Sequence, residues 1–339
     1  PTMATEDRKE RDRPKGGTVV SRLRTLVSEA WEKYPRLCRV LLGLVLYRLF
    51  VKLTKRYELR SDYAPKWMSH IVGLILGISS AALGVYRGSS DKFLVPVDKE
   101  RQHMIVWHPH GAFAVIPVAH ASYPAALGWF PFRYHALIAD VLFELPIIRE
   151  MLMIMGAKRV NPTTVRKMLK AGHNVAIQPG GIYEQIRTDP KQEVAYFSST
   201  FGFVRQAIQV GVPLLPAYLF GENQIFNISE TGRRFTFWFY KLTGIPVLIT
   251  TGAFGIPGLP KPTFIHIRCG RPVEVGEKSD NPSEERVRRV FQEYQKALRE
   301  LFDAYKDECL PPEVAAKGLK MIVRTSTRKK SRSKPSPRL

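Results

Sequence analysis

From Met104 onward, short apolar runs alternate with stretches whose apolar positions return every three or four residues. The runs Met104 to Trp107, Tyr134 to Ile138, Asn174 to Gln178, Pro213 to Phe220 and Thr263 to Cys269 read as strands. Thr163 to Ala171, Phe203 to Gln209 and Pro282 to Asp307 read as helices. In the last of these, Asn281 is placed to cap, Pro282 suits the first position and Glu284 completes a capping box. Val287, Phe291, Tyr294, Leu298, Leu301, Phe302 and Tyr305 then recur along one face, so this helix is assigned to packing. Strands interleaved with helices predict an α/β domain.

The N-terminal third is patterned differently. Trp67 to Tyr86 is a run of 20 residues without a formal charge, flanked by Lys66 and Arg87. At about 1.5 Å per residue it matches the thickness of a bilayer core, with an aromatic at each end. It is read as a membrane segment, with His70, Ser79, Ser80 and its glycines as weak points. The stretch 37–56 is also apolar but carries Arg48, Lys52, Lys55 and Arg56 on one helical face, the mark of an amphipathic interfacial helix. Residues 1–66 hold sixteen Lys or Arg against eight acids, which resists translocation and predicts both flanks on the cytosolic side of a shallow hairpin.

Composition divides the 339 residues into an ordinary core with charged ends. The hydrophobic fraction of 45% is that of a globular protein, whereas the net charge of +22 is not. Residues 317–339 carry nine Lys or Arg and no acid, and are read as disordered. The resulting division is a basic segment 1–36, a membrane-associated segment 37–87 (amphipathic 37–56, apolar 67–86), a catalytic domain 88–308 and a basic disordered tail 309–339. An anionic lipid surface is preferred to nucleic acid as the partner of that charge. Cys38, Cys269 and Cys309 are far apart, which argues against a disulfide framework or a zinc ribbon, and the N-terminus shows no cleavable signal pattern.

The chemistry concentrates at strand exits. His108-Pro109-His110-Gly111 follows the first apolar run and sets two imidazoles beside a glycine. The pair could be a base, half of a metal site or a structural pair, and no other histidine falls at a ligand spacing. Gln178-Pro179-Gly180-Gly181-Ile182-Tyr183-Glu184 follows another run; its glycines could free backbone N–H groups for an oxyanion and Glu184 could orient an imidazolium. A Pro-Gly turn is its plainer reading. Phe220-Gly221-Glu222-Asn223 ends a third run, and no Gly-x-Ser-x-Gly elbow occurs.

The order of these blocks, together with Phe143 to Glu150, Gly202-Phe203-Val204 and Val212-Pro213-Leu214-Leu215-Pro216 before Phe220, resembles the type-2 diacylglycerol acyltransferase family, which includes monoacylglycerol and wax-alcohol acyltransferases. The resemblance covers roughly residues 90–308. It implies a glycerolipid acyltransferase-like sheet flanked by helices, with an N-terminal membrane-embedded hairpin or span. It implies catalysis at His110 and His108 with Glu184, and substrate contacts at Gly111, Pro179, Gly180, Gly181, Phe203, Phe220, Gly221, Glu222 and Asn223. It further implies acyl-CoA as co-substrate with no cofactor or metal, a neutral lipid acceptor, and the endoplasmic reticulum membrane, with the lipid droplet as a second location and a homo-oligomer left open.

Two details refine the resemblance. The wider glycerolipid acyltransferase superfamily uses His-x-x-x-x-Asp, a spelling found here at His135 to Asp140, but inside a strand; His110 fills the catalytic slot, and five residues on stands Val115. Where relatives that bind phosphorylated acceptors carry Pro-Glu-Gly-Thr-Arg, this chain has Pro179-Gly180-Gly181-Ile182-Tyr183, which favours a neutral acceptor such as diacylglycerol. The basic residue usual before Gly-Phe is replaced by Thr200-Phe201. A monoacylglycerol or wax alcohol is the alternative acceptor; a metal-dependent hydrolase and a non-catalytic lipid-droplet binding protein are the alternatives of other classes.

Overall fold

The computed structural model describes residues 19–58, 65–88, 91–113 and 130–324, which group into two compact units, Pro1–Lys55 and Arg56–Leu339. Residues 1–18 of the expected basic segment 1–36, residues 325–339 of the expected tail 309–339, and Val115 lie outside the described residues.

The first unit is helical: α1 (Val19–Lys33) and α2 (Pro35–Glu58), the latter opening on a proline that suits a first turn. Leu41, Leu42, Val45, Leu46, Leu49 and Phe50 of α2 are all exposed. With Val40 and Leu44, which are also exposed, they reach around the helix, and the basic quartet from Arg48 to Arg56 lies in its C-terminal half. The expected amphipathic face over 37–56 is therefore confined to the C-terminal part of the helix.

In the second unit, α3 (Lys66–Ala82) ends within the run expected to span a membrane, and Val85 and Tyr86 pass into the short strand β1 (Val85–Arg87). Seventeen helical residues reach about 25 Å. No helix among the described residues is long and apolar enough to cross a membrane. One side of α3 packs Val72 and Leu76 against the core, while Trp67, Ile71, Leu74, Ile75 and Ile78 stay exposed.

The α/β expectation is met by a central sheet built from β1, β2 (Lys92–Phe93), β3 (Met104–His108), β4 (His135–Ile138), β5 (Lys158–Arg159), β6 (Val175–Ile177), β8 (Leu214–Phe220) and β11 (Thr263–Cys269). Their order is β1-β11-β8-β3-β6-β4-β5, with β2 also on β11; β8 and β11 run antiparallel and the other pairs parallel. All five strands read from the sequence are present, within a residue or so of their expected limits.

Every residue of β3 and β8 is buried, because both faces of the sheet are covered. Met104, Val106, Leu214, Tyr218 and Phe220 point into one core with α5 (Pro162–Lys170), α7 (Gly202–Val210) and α9 (Glu284–Cys309). Ile105, Trp107, Leu215, Ala217 and Leu219 point into the other. The remaining helices are α4 (Ile148–Ile154), α6 (Gly181–Ile186), α8 (Glu230–Thr243) and α10 (Pro312–Ala315). The long helix α9 starts two residues later than expected: Ser283, not Asn281, is its cap, accepting from the Arg286 N–H.

The C-terminal boundary moves as well. Residues beyond 308 are not simply a disordered tail: α10 buries Val314 and Ala315, and β12 (Leu319–Arg324) pairs in parallel with β7 (Glu193–Ser198) along its full length. The basic composition of 317–339 concealed Leu319, Met321, Ile322 and Val323, enough apolar side chains for one strand. Strands β9 (Asn227–Ile228) and β10 (Thr250–Thr251) pair across the base of the excursion that carries α8.

Candidate active site

Strand β3 lies between β6 and β8, strands that come later in the chain and sit on opposite sides of it. Connections diverge at its carboxyl end, the position at which open α/β sheets form a crevice. His108 is the last residue of β3, so the loop through His110 emerges there.

Three side chains of the Gln178 to Gln185 block grip that loop. Gln178 Nε2 donates to the Pro109 carbonyl at 3.2 Å, Glu184 Oε1 accepts the His110 N–H at 2.6 Å, and Gln185 Nε2 donates to the Ala112 carbonyl at 2.8 Å. Glu184 is buried, and its second oxygen accepts the Tyr196 N–H at 2.8 Å while standing 3.5 Å from His108 Nδ1. Its carboxylate therefore holds the backbone, not the ring, of His110, and the imidazole it faces is that of His108. A side chain at Gly180 would drive into the Glu184 carboxylate, which accounts for glycine at this position. The Gly181 N–H donates to the Gln178 carbonyl at 3.1 Å and is spent on the turn, contrary to the expectation that it is free for an oxyanion.

The two histidines sit in unlike surroundings. His108 is fully buried, edge-on to Phe197 with ring centres 5.0 Å apart, and neither ring nitrogen has a hydrogen-bond partner among the described residues. His110 is partly exposed, and its Nδ1 lies 3.4 Å from the Gly111 carbonyl. A carbonyl can only accept, so that contact puts the proton on Nδ1 and leaves Nε2 as the basic nitrogen. Burial lowers the His110 pKa against the opposing pull of Glu184, keeping the imidazole neutral and able to take a proton.

On the β8 side, Glu222 is buried against Gly111: a β-carbon there would lie 2.6 Å from Oε1. Gly111 also has φ of 65°, so the position excludes a side chain on two counts. Neither Glu222 oxygen has a hydrogen-bond partner among the described residues, and burial raises its pKa to about 8. At neutral pH it is a protonated carboxyl, a donor rather than an anion.

Several of the expected substrate contacts lie buried among core side chains. Phe220 lies wholly within the core against Phe302, and Phe203 packs among Phe197, Phe291 and Tyr294. Asn223 is buried and donates to Glu193 at 2.8 Å, and the Gly221 α-carbon backs onto the Phe264 carbonyl. Gly111, Pro179, Gly180, Gly181 and Glu222 remain around the histidine loop. Phe201, one of the two residues that stand in place of the basic residue usual before Gly-Phe, stacks on Phe291 at 4.3 Å. His135 of the His-x-x-x-x-Asp spelling is buried and bonded to the Gly156 carbonyl at 2.6 Å, a structural role.

Sequence reasoning passed over Glu193. It is buried on β7 and accepts from Tyr218, Asn223 and Gln224 at 2.6 to 2.8 Å, tying the Glu222 loop to the strand that also contacts Glu184. Its signal was the alternation Glu193-Val194-Ala195-Tyr196-Phe197, with an acid in step with inward apolar positions. No three His, Cys, Asp or Glu side chains among the described residues gather to hold a metal ion.

Residues 37–315 match the family model described as diacylglycerol acyltransferase. Diacylglycerol O-acyltransferase 2B of Umbelopsis ramanniana is 27% identical over 62% of this chain, and acyl-CoA wax alcohol acyltransferase 2 of Homo sapiens 34% identical over 61%. The matches span 65% and 66% of those relatives, just under two thirds of their length. 2-Acylglycerol O-acyltransferase 1 of Bos taurus is 29% identical over 64% of this chain and 69% of its own. A solved 1-acyl-sn-glycerophosphate acyltransferase from Thermotoga maritima aligns over 77% of this chain and 96% of its own at 18% identity, with a TM-score of 0.38 too low to carry an argument.

Proposed function

The chain belongs to the diacylglycerol acyltransferase family, and on that premise we propose that it transfers a fatty acyl group from acyl-CoA to the hydroxyl of a neutral glyceride, diacylglycerol first among them. The observation that carries the assignment of roles is the contrast between a sealed His108 and an accessible His110 with a depressed pKa. His110 Nε2 removes the acceptor's hydroxyl proton as its oxygen attacks the thioester carbon. The tetrahedral intermediate then collapses, the carbon–sulfur bond breaks, and the imidazolium returns the proton to the departing thiolate. Glu184 fixes the loop that carries the base, and His108 supports it from within the core.

Glu222 takes the part of oxyanion donor. Its protonated carboxyl stands beside Gly111 with no hydrogen-bond partner among the described residues, whereas the Gly181 N–H is already used. Tyr183 in place of the arginine of phosphate-binding relatives favours a neutral acceptor. Acceptors of this kind dissolve only in lipid, and exposed apolar side chains of α2 and α3, with Trp238 and Leu242 of α8 and the 96% exposed Phe254, support attachment to a membrane surface. The endoplasmic reticulum membrane, with the catalytic domain facing the cytosol, is the setting this reading carries forward.

The test is ester formation from acyl-CoA and diacylglycerol in liposomes, with monoacylglycerol and a long-chain alcohol offered in parallel. His110→Ala lowers kcat by about a hundredfold to ten-thousandfold, and His108→Ala by less. Glu222→Ala loses activity that Glu222→Gln, which keeps a donor, partly retains. Unchanged turnover in both histidine variants rejects the mechanism, and activity abolished by a chelator replaces it with metal-assisted hydrolysis.

A further inference from the structure

Beyond the face of α6 that presents Glu184, the same helix carries an assembly the histidine chemistry does not use. Tyr183 and Arg187, one turn apart, stack with the guanidinium 3.4 Å from the ring centre, and Phe237 of α8 lies 4.3 Å from the same guanidinium. Arg324, at the end of β12, covers Tyr183 at 4.3 Å. Arg233 of α8 adds a third cation, donating to the Thr188 carbonyl at 3.4 Å. Tyr196, whose backbone N–H bonds Glu184, meets Tyr183 edge-on at 5.3 Å, so the assembly adjoins the carboxylate that holds the His110 loop.

The charges around these arginines do not balance. Among the described residues the carboxylate paired with them is Glu230, 3.6 Å from Arg233, largely exposed and shared with Arg234. The Arg324 Nε is buried without a hydrogen-bond partner among the described residues, the Arg233 Nε faces Glu230 beyond hydrogen-bond distance, and Arg187 donates to the Tyr183 carbonyl at 3.3 Å. Burial, and after it the nearby charges of Arg233 and Arg324, hold Arg187 below the ordinary arginine value. Three partly buried guanidiniums with donors to spare, fixed by aromatic stacking, have the chemistry of a phosphate site.

We propose that Arg187, Arg233 and Arg324, arranged about Tyr183, bind the phosphate groups of coenzyme A and so place the thioester at the His110 loop. The proposal rests on the acyl-CoA reading above. It also gives Tyr183 a use: the position holds no arginine of its own but serves as the platform on which two others stack.

The test uses the full chain in detergent, with binding of coenzyme A compared with that of phosphate-free pantetheine. Arg187→Gln and Arg324→Gln each weaken coenzyme A binding and raise KM for acyl-CoA by about tenfold. KM for the lipid acceptor does not move and pantetheine binding is unaffected. Arg187→Lys recovers part of the loss, and Arg233→Gln, on another element, gives the same signature should Arg187→Gln melt early. Unchanged coenzyme A affinity in Arg324→Gln and Arg233→Gln overturns the proposal. So does a loss confined to lysophosphatidate or to phosphatidylserine vesicles, which would assign the site to a lipid headgroup. Arginine-dependent coenzyme A binding without ester product keeps the site and rejects acyl transfer; ester formation at unchanged KM in all three variants does the reverse.

Discussion

Strand β3 and helix α2 are both apolar, yet one is buried at every position and the other exposes most of its apolar side chains. In β3 the apolar residues meet protein on both faces of a sheet. In α2 they lie exposed on a helix, with few of them covered among the described residues. Hydropathy reports that a segment needs a non-aqueous neighbour, and the fold decides whether the chain itself supplies it.

Substitutions can break this contrast or sharpen it. Truncating Phe197, which packs against His108 and Phe291 in the core, costs about 3–5 kcal/mol in Phe197→Ala. A denaturation midpoint close to wild type would show that the platform beneath the site is less tightly packed than the contacts imply.

A smaller effect comes from the buried carboxyl. Glu222 has a folded pKa of about 8 against an ordinary value of 4.5, so the native state holds its proton over a range in which the unfolded chain has lost it. Stability from this group is full below about 4.5, declines as pH rises and is lost by passage through about 8. Glu222→Gln should flatten that decline, read as a Tm that falls less between pH 6 and pH 9 than in the wild type. Parallel Tm curves would place the titration elsewhere.

The smallest effect on stability belongs to α2. Leu42→Ser with Leu46→Ser should change folding stability by no more than about 0.5 kcal/mol, while weakening association with phosphatidylcholine vesicles. A large loss of stability would mean that these side chains are covered by protein after all.

The pattern that made β3, β6, β8 and β11 readable is local: consecutive apolar residues ending at glycine, proline or a polar turn. The same holds for the blocks around His108, His110, Glu184 and Glu222, each at a strand exit. What could not be read was how the blocks touch. Nothing local says that Glu184 would take the backbone N–H of His110 and leave its ring alone, or that Phe220 would face the core while Glu222 turned toward Gly111. The run 67–86 divides where its pattern gave no sign of a break, because its apolar residues serve a helix half-packed on the core and then a strand. The tail misled because composition averaged six strand residues with the basic ones beyond them.

Strand β12 gives the site a history as well as a geometry. It pairs with β7, a strand more than a hundred residues earlier, and β7 supplies Glu193 to the Glu222 loop and the Tyr196 N–H to Glu184. A chain emerging from the ribosome therefore carries its histidines, glutamates and glycines long before the strand that clasps them has been made. Until Leu319–Arg324 arrives, β7 lacks the strand with which it pairs along its full length, so this edge of the fold closes only after the residues it borders have been made.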